Sequence, residues 1–462
     1  MNLIFSDFGM FNHNPTVLGT QPVLNAQVIT PHIVVMKNAA ARAHGMTFGT
    51  VWSIYDLFTG RREFADKVLK VSDLTLPGGY TRETPHRYVN VAGEKITIGI
   101  RDGEAVSDVQ YFNKDNQLTQ KEIYDDGGFL MSRETPFAPD TIKAEMLDTA
   151  GQPIFELLKV GRWGAISQVT YVPDNLIFEN ESKFLRWAFE QLVARKSATD
   201  KFFVASNQLR DAIRESWYKP QGVILLMLEP FVKSLDILFD HYETVVFNDE
   251  FNLNNAINTY GERSESQFVW NNFIPTDLIH RNFTADNRQI YINLGAGSQL
   301  LNYEKIADVI KEIFDYQPEL RIILQVNGRR SRDAMVAHIN WRGKEQLEKV
   351  EFYANPNPSF IKRKIAESML YIDLMENDMV SHNIALALSA QIPILSLKEN
   401  EPAKTYVSDE TGKVVAFNQL AMVAKEAVAN LGFYSRLADN LEAKQQFLST
   451  QKTAERWRTI LK

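Results

Sequence analysis

Three short stretches place reactive or ligand-holding residue types where a strand gives way to a helix. The first is Gly295-Ala296-Gly297-Ser298, directly after the apolar run Ile290 to Leu294. Small residues there can turn their backbone N–H groups and a helix N-terminus toward a phosphate. The motif is not a full G-x-G-x-x-G, because position 300 is Leu. The same residues also suit a plain strand-to-helix turn. The second stretch, Asn327-Gly328-Arg329-Arg330, follows the run Arg321 to Val326. Two arginines at the carboxyl end of a strand can hold a phosphate or a partner carboxylate, or can form a solvated basic turn. The third is Glu376-Asn377-Asp378, with Ser381, His382 and Asn383 opening the next helix. Polar groups at the carboxyl edge of a parallel strand sit where such folds bind ligands, although Asp378 or Ser381 can equally cap the helix. Asp373 lies inside the preceding strand, where burial is expected.

Other chemistries find little support. The eight histidines are scattered, with no His-x-x-x-His or Glu-x-x-His pair, so we expect no metal and no cofactor. There is no Walker lysine and no G-x-S-x-G elbow. The chain has no cysteine, which excludes disulfides, thiolate-held metals and a cysteine nucleophile. A net charge of −7 speaks against a nonspecific nucleic-acid binder.

These residues need a scaffold, and 462 residues suit two or three domains. Within the first 60, Ile33 to Met36 reads as a buried strand and Val51 to Phe58 as a strand end or a helical turn. From about Lys67 to Val172 the hydrophobic period is two. Lys95 to Ile100, Val106 to Phe112, Gln120 to Tyr124, Ile142 to Leu147 and Ile166 to Val172 read as strands. Turn signals at 113–116, 125–128 and 148–151 separate them, so this region is a degenerate repeat of hairpins, an antiparallel meander with one wet face. Its Tyr80, Tyr88, Tyr111 and Tyr124 can stack on sugar or peptide, or can be half-buried sheet residues. A face or edge of such a sheet can receive a partner.

After Pro173 short apolar strands alternate with helical stripes, first over Glu181 to Ala194, Phe202 to Ala205, Val223 to Leu228, Phe231 to Asp240 and Thr244 to Phe247. A second series runs from Gln289, with a helix over Tyr303 to Tyr316 and strands at Arg321 to Val326, Lys349 to Tyr353, Met369 to Leu374 and Ile392 to Leu397. Helix returns at Ser381 to Ala390 and from about Asn418 onward. This gives an α/β fold of two Rossmann-like units plus the meander. We expect residues 1–65 with 173–285 as the first unit, 66–172 as the insert and 286–462 as the second unit. The start, MNLIFSDFGMF, lacks a basic region and carries Asp7, and no segment reaches the ~20 apolar residues of a membrane span. A soluble cytoplasmic protein is therefore expected.

The turn-linked strands Tyr111 to Leu118 and Ile123 to Leu130, the segment Leu370 to Leu397 (LYIDLMENDMVSHNIALALSAQIPILSL) and the Trp457-containing tail carry a resemblance. From about Val51 onward the chain resembles GT-B glycosyltransferases with an extra antiparallel sheet. These include the poly(glycerol-phosphate) α-glucosyltransferases, the paired GtfA and GtfB proteins that glycosylate serine-rich adhesins, and the non-catalytic accessory-secretion protein one. Active retaining members carry two glutamates eight positions apart; aligned on Pro393, these fall at Asp378 and Leu386. Leucine cannot accept from ribose hydroxyls. They also carry an Arg and a Lys that neutralise the donor diphosphate; aligned on Pro318, these fall at Ala296 and Leu301, and no Lys or Arg occurs from Tyr291 to Glu304. The Gly-rich donor loop near the N-terminus is missing too.

The resemblance thus implies a GtfB-like subunit that does not catalyse, stabilises a catalytic glycosyltransferase partner and helps engage a Ser/Thr-rich acceptor protein. A hetero-oligomer, with peripheral contact on the inner face of the cell membrane, goes with that role. The expected binding residues are Gly295, Gly297, Ser298, Asn327, Arg329, Arg330, Glu376, Asp378, Ser381 and His382, with no catalytic residue. The alternative is an active retaining transferase that uses a nucleotide sugar on protein or teichoic acid. Arg329 and Arg330 would then replace the lost cations.

Overall fold

The computed structural model describes residues 2–7, 15–35, 41, 46–47, 49–61, 68–101, 104–162, 164–214, 222–227, 241–248, 250–260, 268–271, 276–280, 288–294, 303–326, 328–354, 356, 358–375, 382–400, 403–404, 406–429 and 431–461. The chain falls into two compact units, Met1–Leu225 with Asp236–Glu243, and Leu226–Leu235 with Thr244–Lys462.

The first unit opens with three short buried strands, β1 (Asn2–Phe5), β2 (Gln27–Thr30) and β3 (Val51–Ser53). Ten antiparallel strands follow: β4 (Tyr80–Thr84), β5 (Arg87–Asn90), β6 (Lys95–Arg101), β7 (Ala105–Phe112), β8 (Leu118–Tyr124), β9 (Leu130–Ala138), β10 (Thr141–Leu147), β11 (Pro153–Val160), β12 (Ala165–Tyr171) and β13 (Leu176–Phe178). They pair in strict chain order into one ten-stranded sheet. β14 (Lys201–Val204) and β15 (Val223–Met227) then return to the first sheet, which reads β15-β14-β1-β2-β3 and is parallel throughout.

The hairpins of the meander share one turn chemistry. The side-chain oxygen of Asn113 accepts from the N–H groups of Asp115 and Gln117, at 3.0 and 2.9 Å. Asp125 does the same for Gly127 and Phe129, and Asp148 for Ala150 and Gln152. Asn90 repeats the pattern with Ala92 and Glu94. An Asx side chain thereby satisfies backbone donors that the ladder cannot reach. The tyrosines lie half-buried: Tyr80, Tyr88, Tyr111 and Tyr124 pack against Ile96, Ile98, Val106 and Val109.

Helix Glu181–Ala194 starts at Asn180, whose side chain accepts from the N–H of Lys183. Its stripe buries Phe184, Leu185, Ala188 and Phe189. Phe184 meets Tyr55 of the segment after β3 and Phe155 of β11, so one aromatic cluster joins the parallel sheet to the meander. Beside it, buried Arg61 lies 3.6 Å from both Asp56 and Asp125. Ile33 to Val35 is not strand as its apolar run suggests: it is half-buried coil, and Val35 accepts from the N–H of Asp126 at a meander turn. Residue 36 lies outside the described residues, as do 228 and the helix expected over Phe231 to Asp240.

The second unit holds the parallel pair β16 (Thr244–Phe247) and β17 (Phe268–Trp270). Its main sheet comprises β18 (Gln289–Asn293), β19 (Arg321–Val326), β20 (Val350–Ala354), β21 (Leu370–Asp373), β22 (Ile394–Leu397) and β23 (Gly412–Val415), in the parallel order β20-β19-β18-β21-β22-β23. At Gly412 a Cβ would stand 1.9 Å from the Ile394 carbonyl oxygen, so only glycine lets β23 close on β22. Helix Tyr303–Tyr316 packs six buried side chains on this sheet. The C-terminal helices Leu420–Ala429, Leu431–Phe447 and Thr450–Ile460 finish the unit. Thr276 and Asn271 are tied to the last two of them, Thr276 Oγ1 donating to the Gln445 carbonyl at 2.8 Å and Asn271 Nδ2 to that of Thr453 at 3.3 Å.

Candidate functional site

The carboxyl ends of β19, β18, β21 and β22 carry a row of polar residues in an otherwise apolar sheet. In-register pairing sets Gln325 beside Asn293, Asn293 beside Asp373, and Asp373 beside Ser396. Neighbouring parallel strands in register point such residues to the same face. Two positions earlier, Tyr291 and Tyr371 stack with ring centroids 5.9 Å apart. Their hydroxyls reach forward to the row. Tyr291 Oη donates to Gln325 Oε1 at 2.6 Å and Tyr371 Oη to Asp373 Oδ1 at 3.2 Å.

Asp373 is the centre. It is fully buried, and Asn293 Nδ2 donates to Oδ1 at 3.0 Å while Asn400 Nδ2 lies 3.4 Å from Oδ2. Burial pushes its carboxyl up to about 7, because desolvation outweighs the donated hydrogen bonds, the Met375 N–H among them. The network thus ties the end of β18, the exit of β21 and the turn after β22. On its other side Asn383, from helix His382–Ser389, donates to Gln325 Oε1 at 2.7 Å. Ser396 is fully buried, and among the described residues its Oγ has no hydrogen-bond partner.

Gly295, Gly297, Ser298, Asn327, Glu376, Asp378 and Ser381 lie outside the described residues, as do Ala296 and Leu301. His382 is the first residue of helix His382–Ser389. Gly328 is not a turn between strand and loop but the first residue of helix Gly328–Arg342, which carries Arg329 and Arg330 exposed on its opening turn. Arg329 has 87% of its side chain exposed and sits 3.9 Å from Asp333. Leu386, where the resemblance places the second glutamate, is half-buried and packs against the apolar core of this unit.

Sequence reasoning did not single out Tyr291, Asn293, Gln325, Asn383 or Asn400 as a group. The available signal was one polar residue near the end of each apolar strand, IYIN, RIILQV and LYID. Among the described residues this polar network holds hydrogen-bond donors and acceptors and one carboxyl, and no cation. Among the described residues no group of His, Asp and Glu could hold a metal ion, and no helix is long and apolar enough to cross a membrane.

No protein-family model matches the sequence, and no curated protein does either. Solved structures do. The pneumococcal O-GlcNAc transferase GtfA, in complex with UDP and GlcNAc, superposes with a TM-score of 0.77 at 12% identity, covering 100% of this chain and 98% of that one. A chain from the structure of accessory secretory protein 1,2 and 3 in Streptococcus pneumoniae gives 0.71 at 14% identity, covering 100% and 99%. A chain of the GtfA/B complex gives 0.74 at 13%, again covering 100% and 99%. The chain has their fold. It consists of GT-B-like parallel sheets with helices plus a ten-stranded antiparallel sheet, as the sequence resemblance implied.

Proposed function

We propose that this protein is a non-catalytic, glycosyltransferase-like subunit that stabilises a partner glycosyltransferase and helps bind a Ser/Thr-rich acceptor in protein O-glycosylation linked to accessory secretion. The observation that carries the reading is Leu386. Where the resemblance puts the second glutamate, for the donor ribose, stands a half-buried leucine packed against the core. The lack of any Lys or Arg from Tyr291 to Glu304 points the same way. Solved structures of the same fold include the GtfA/B complex and accessory secretory protein 1,2 and 3, which supports a hetero-oligomer. The ten-stranded sheet is the partner surface in this proposal. In this proposal Gly295, Gly297, Ser298, Asn327, Arg329, Arg330, Glu376, Asp378, Ser381 and His382 belong to a remnant cleft that binds acceptor glycopeptide. We place the protein in the cytoplasm, peripheral on the inner face of the membrane. The domain division 1–65 with 173–285, 66–172 and 286–462 belongs to the same proposal.

Calorimetry with a nucleotide sugar at millimolar concentration is expected to give no binding heat from the isolated protein, and a transfer assay no product. Sugar transfer by the isolated chain, abolished by Asp378→Ala, would sink the reading. The likeness to GtfA with UDP and GlcNAc favours a second one, an active retaining transferase acting on protein or teichoic acid. There Arg329 and Arg330 hold the diphosphate and Asp378 or Glu376 the sugar, and Arg329→Ala with Arg330→Ala abolishes donor binding.

A further inference from the structure

Helix Gly328–Arg342 buries only Met335 and Ile339. Its other side is open. At 100° per residue Arg330, Ala334, Ala337 and Trp341 fall on one stripe. Arg330 and Trp341 stand about 16 Å apart along the axis. Trp341 is 78% exposed, far more than its size favours. Yet its ring rests on a fixed base. The Arg342 guanidinium lies 5.4 Å from the ring centroid. Arg342 is itself locked, donating to the Asp308 carboxylate at 2.6 Å and to the carbonyls of His338 and Glu304 at 3.0 and 2.9 Å. An aromatic held this way loses little freedom when a partner covers it.

The opposite end of the stripe is cationic. Arg329, Arg330 and Arg332 are exposed. Asp333 answers two of them, at 3.2 Å from Arg332 and 3.9 Å from Arg329. Among the described residues Arg330 makes no ion pair. The sign is thus inverted locally on a chain whose net charge is −7. Between the two ends, Ala334 and Ala337 leave room for another backbone to approach.

We propose that this face of helix Gly328–Arg342 docks an acidic helix of a partner protein, with Trp341 as the aromatic anchor and Arg330 as the charge anchor. Trp and Arg are the residue types that dominate the energetics of protein interfaces. A lipid surface fits less well. Ala334, Ala337 and Asn340 add almost no apolar area around the single Trp, and the cations gather at one end instead of flanking an apolar face. The helix belongs to the second unit and the ten-stranded sheet to the first, and the proposal rests on the non-catalytic reading, in which Arg330 holds no diphosphate.

The test is calorimetry on the full-length protein with three probes: an amphipathic Leu/Glu helical peptide of about 20 residues, its Leu/Lys counterpart, and phosphatidylglycerol vesicles. The Leu/Glu peptide is expected to bind, more weakly as salt rises. Arg330→Glu and Trp341→Ala should each lower its affinity about tenfold, with unchanged circular dichroism. Ala337→Gln, which fills the strip without adding charge and spares both anchors, should weaken it as well. No binding of the Leu/Glu peptide, equal binding of the Leu/Lys peptide, or indifference to both anchor variants overturns the proposal. Tighter binding to the vesicles assigns the face to a membrane. A dimer that Trp341→Ala dissolves assigns it to a second copy. Either result also overturns it.

Discussion

Asp373→Asn isolates the proton held at the centre of the candidate site. In the folded protein the carboxyl titrates near 7, against an ordinary 3.8. Between those two values the native state binds a proton that the unfolded chain has released, so stability falls as pH rises. The contribution is fully present below the unfolded value and is lost as pH climbs through the folded one. At about 1.4 kcal/mol per unit, the stability lost from this group between pH 5 and pH 8 is between about 2 and 3 kcal/mol. Asparagine does not titrate. It keeps an oxygen for Asn293 and Tyr371 but turns an amide N–H₂ toward the Asn400 donor, at a pH-independent cost of about 1–3 kcal/mol. Urea unfolding of both proteins at pH 5, 6, 7 and 8 reads the difference, in which all other titrating groups cancel. The wild-type protein should lead by most at pH 5, and the gap should shrink toward pH 8. A gap that is flat with pH, or that widens, would refute the assignment of a raised carboxyl at Asp373.

Gly412→Ala should destabilise the second unit by about 2 kcal/mol or more, since the new methyl meets the Ile394 carbonyl with no flexible atom to yield; thermal unfolding would show it, and an unchanged midpoint would contradict the close approach. Arg61→Met removes the cation beside buried Asp56 and Asp125, so a loss of about 3–5 kcal/mol is expected in urea unfolding at neutral pH. Asn180→Ala removes the cap of helix Glu181–Ala194 and should cost about 1 kcal/mol in denaturant titration, with Asn180→Asp nearly neutral.

How much of this was legible beforehand depends on the range of the forces involved. Helix Tyr303–Tyr316 was readable to the residue, because its apolar stripe is local and Pro318 ends it. The hairpin turns were readable for the same reason. An Asx residue and its two backbone donors lie within four positions of each other. Helix Gly328–Arg342 was not, because Met335 and Ile339 alone face the core and no stripe marks it. Ile33 to Val35 misled in the other direction. Apolar residues suffice for burial, but strand formation needs a free ladder beside them, and Val35 instead bonds to Asp126. The polar row of the second unit needs the register of four strands. Asn293 and Asp373 are 80 residues apart in the chain, and nothing local announces that they meet.

The chain-order pairing of the ten-stranded sheet has a consequence for biosynthesis. β1 pairs with β14, so the parallel sheet of the first unit stays unfinished until the ribosome has delivered residues beyond Lys201. Every strand of the meander pairs only with the strand made just before or after it, across turns that close themselves. Contacts of such low order form fast. The meander can therefore assemble hairpin by hairpin during translation, while the apolar β1, β2 and β3 wait for their remaining neighbours. That interval is when the nascent chain is most exposed to aggregation and to chaperones.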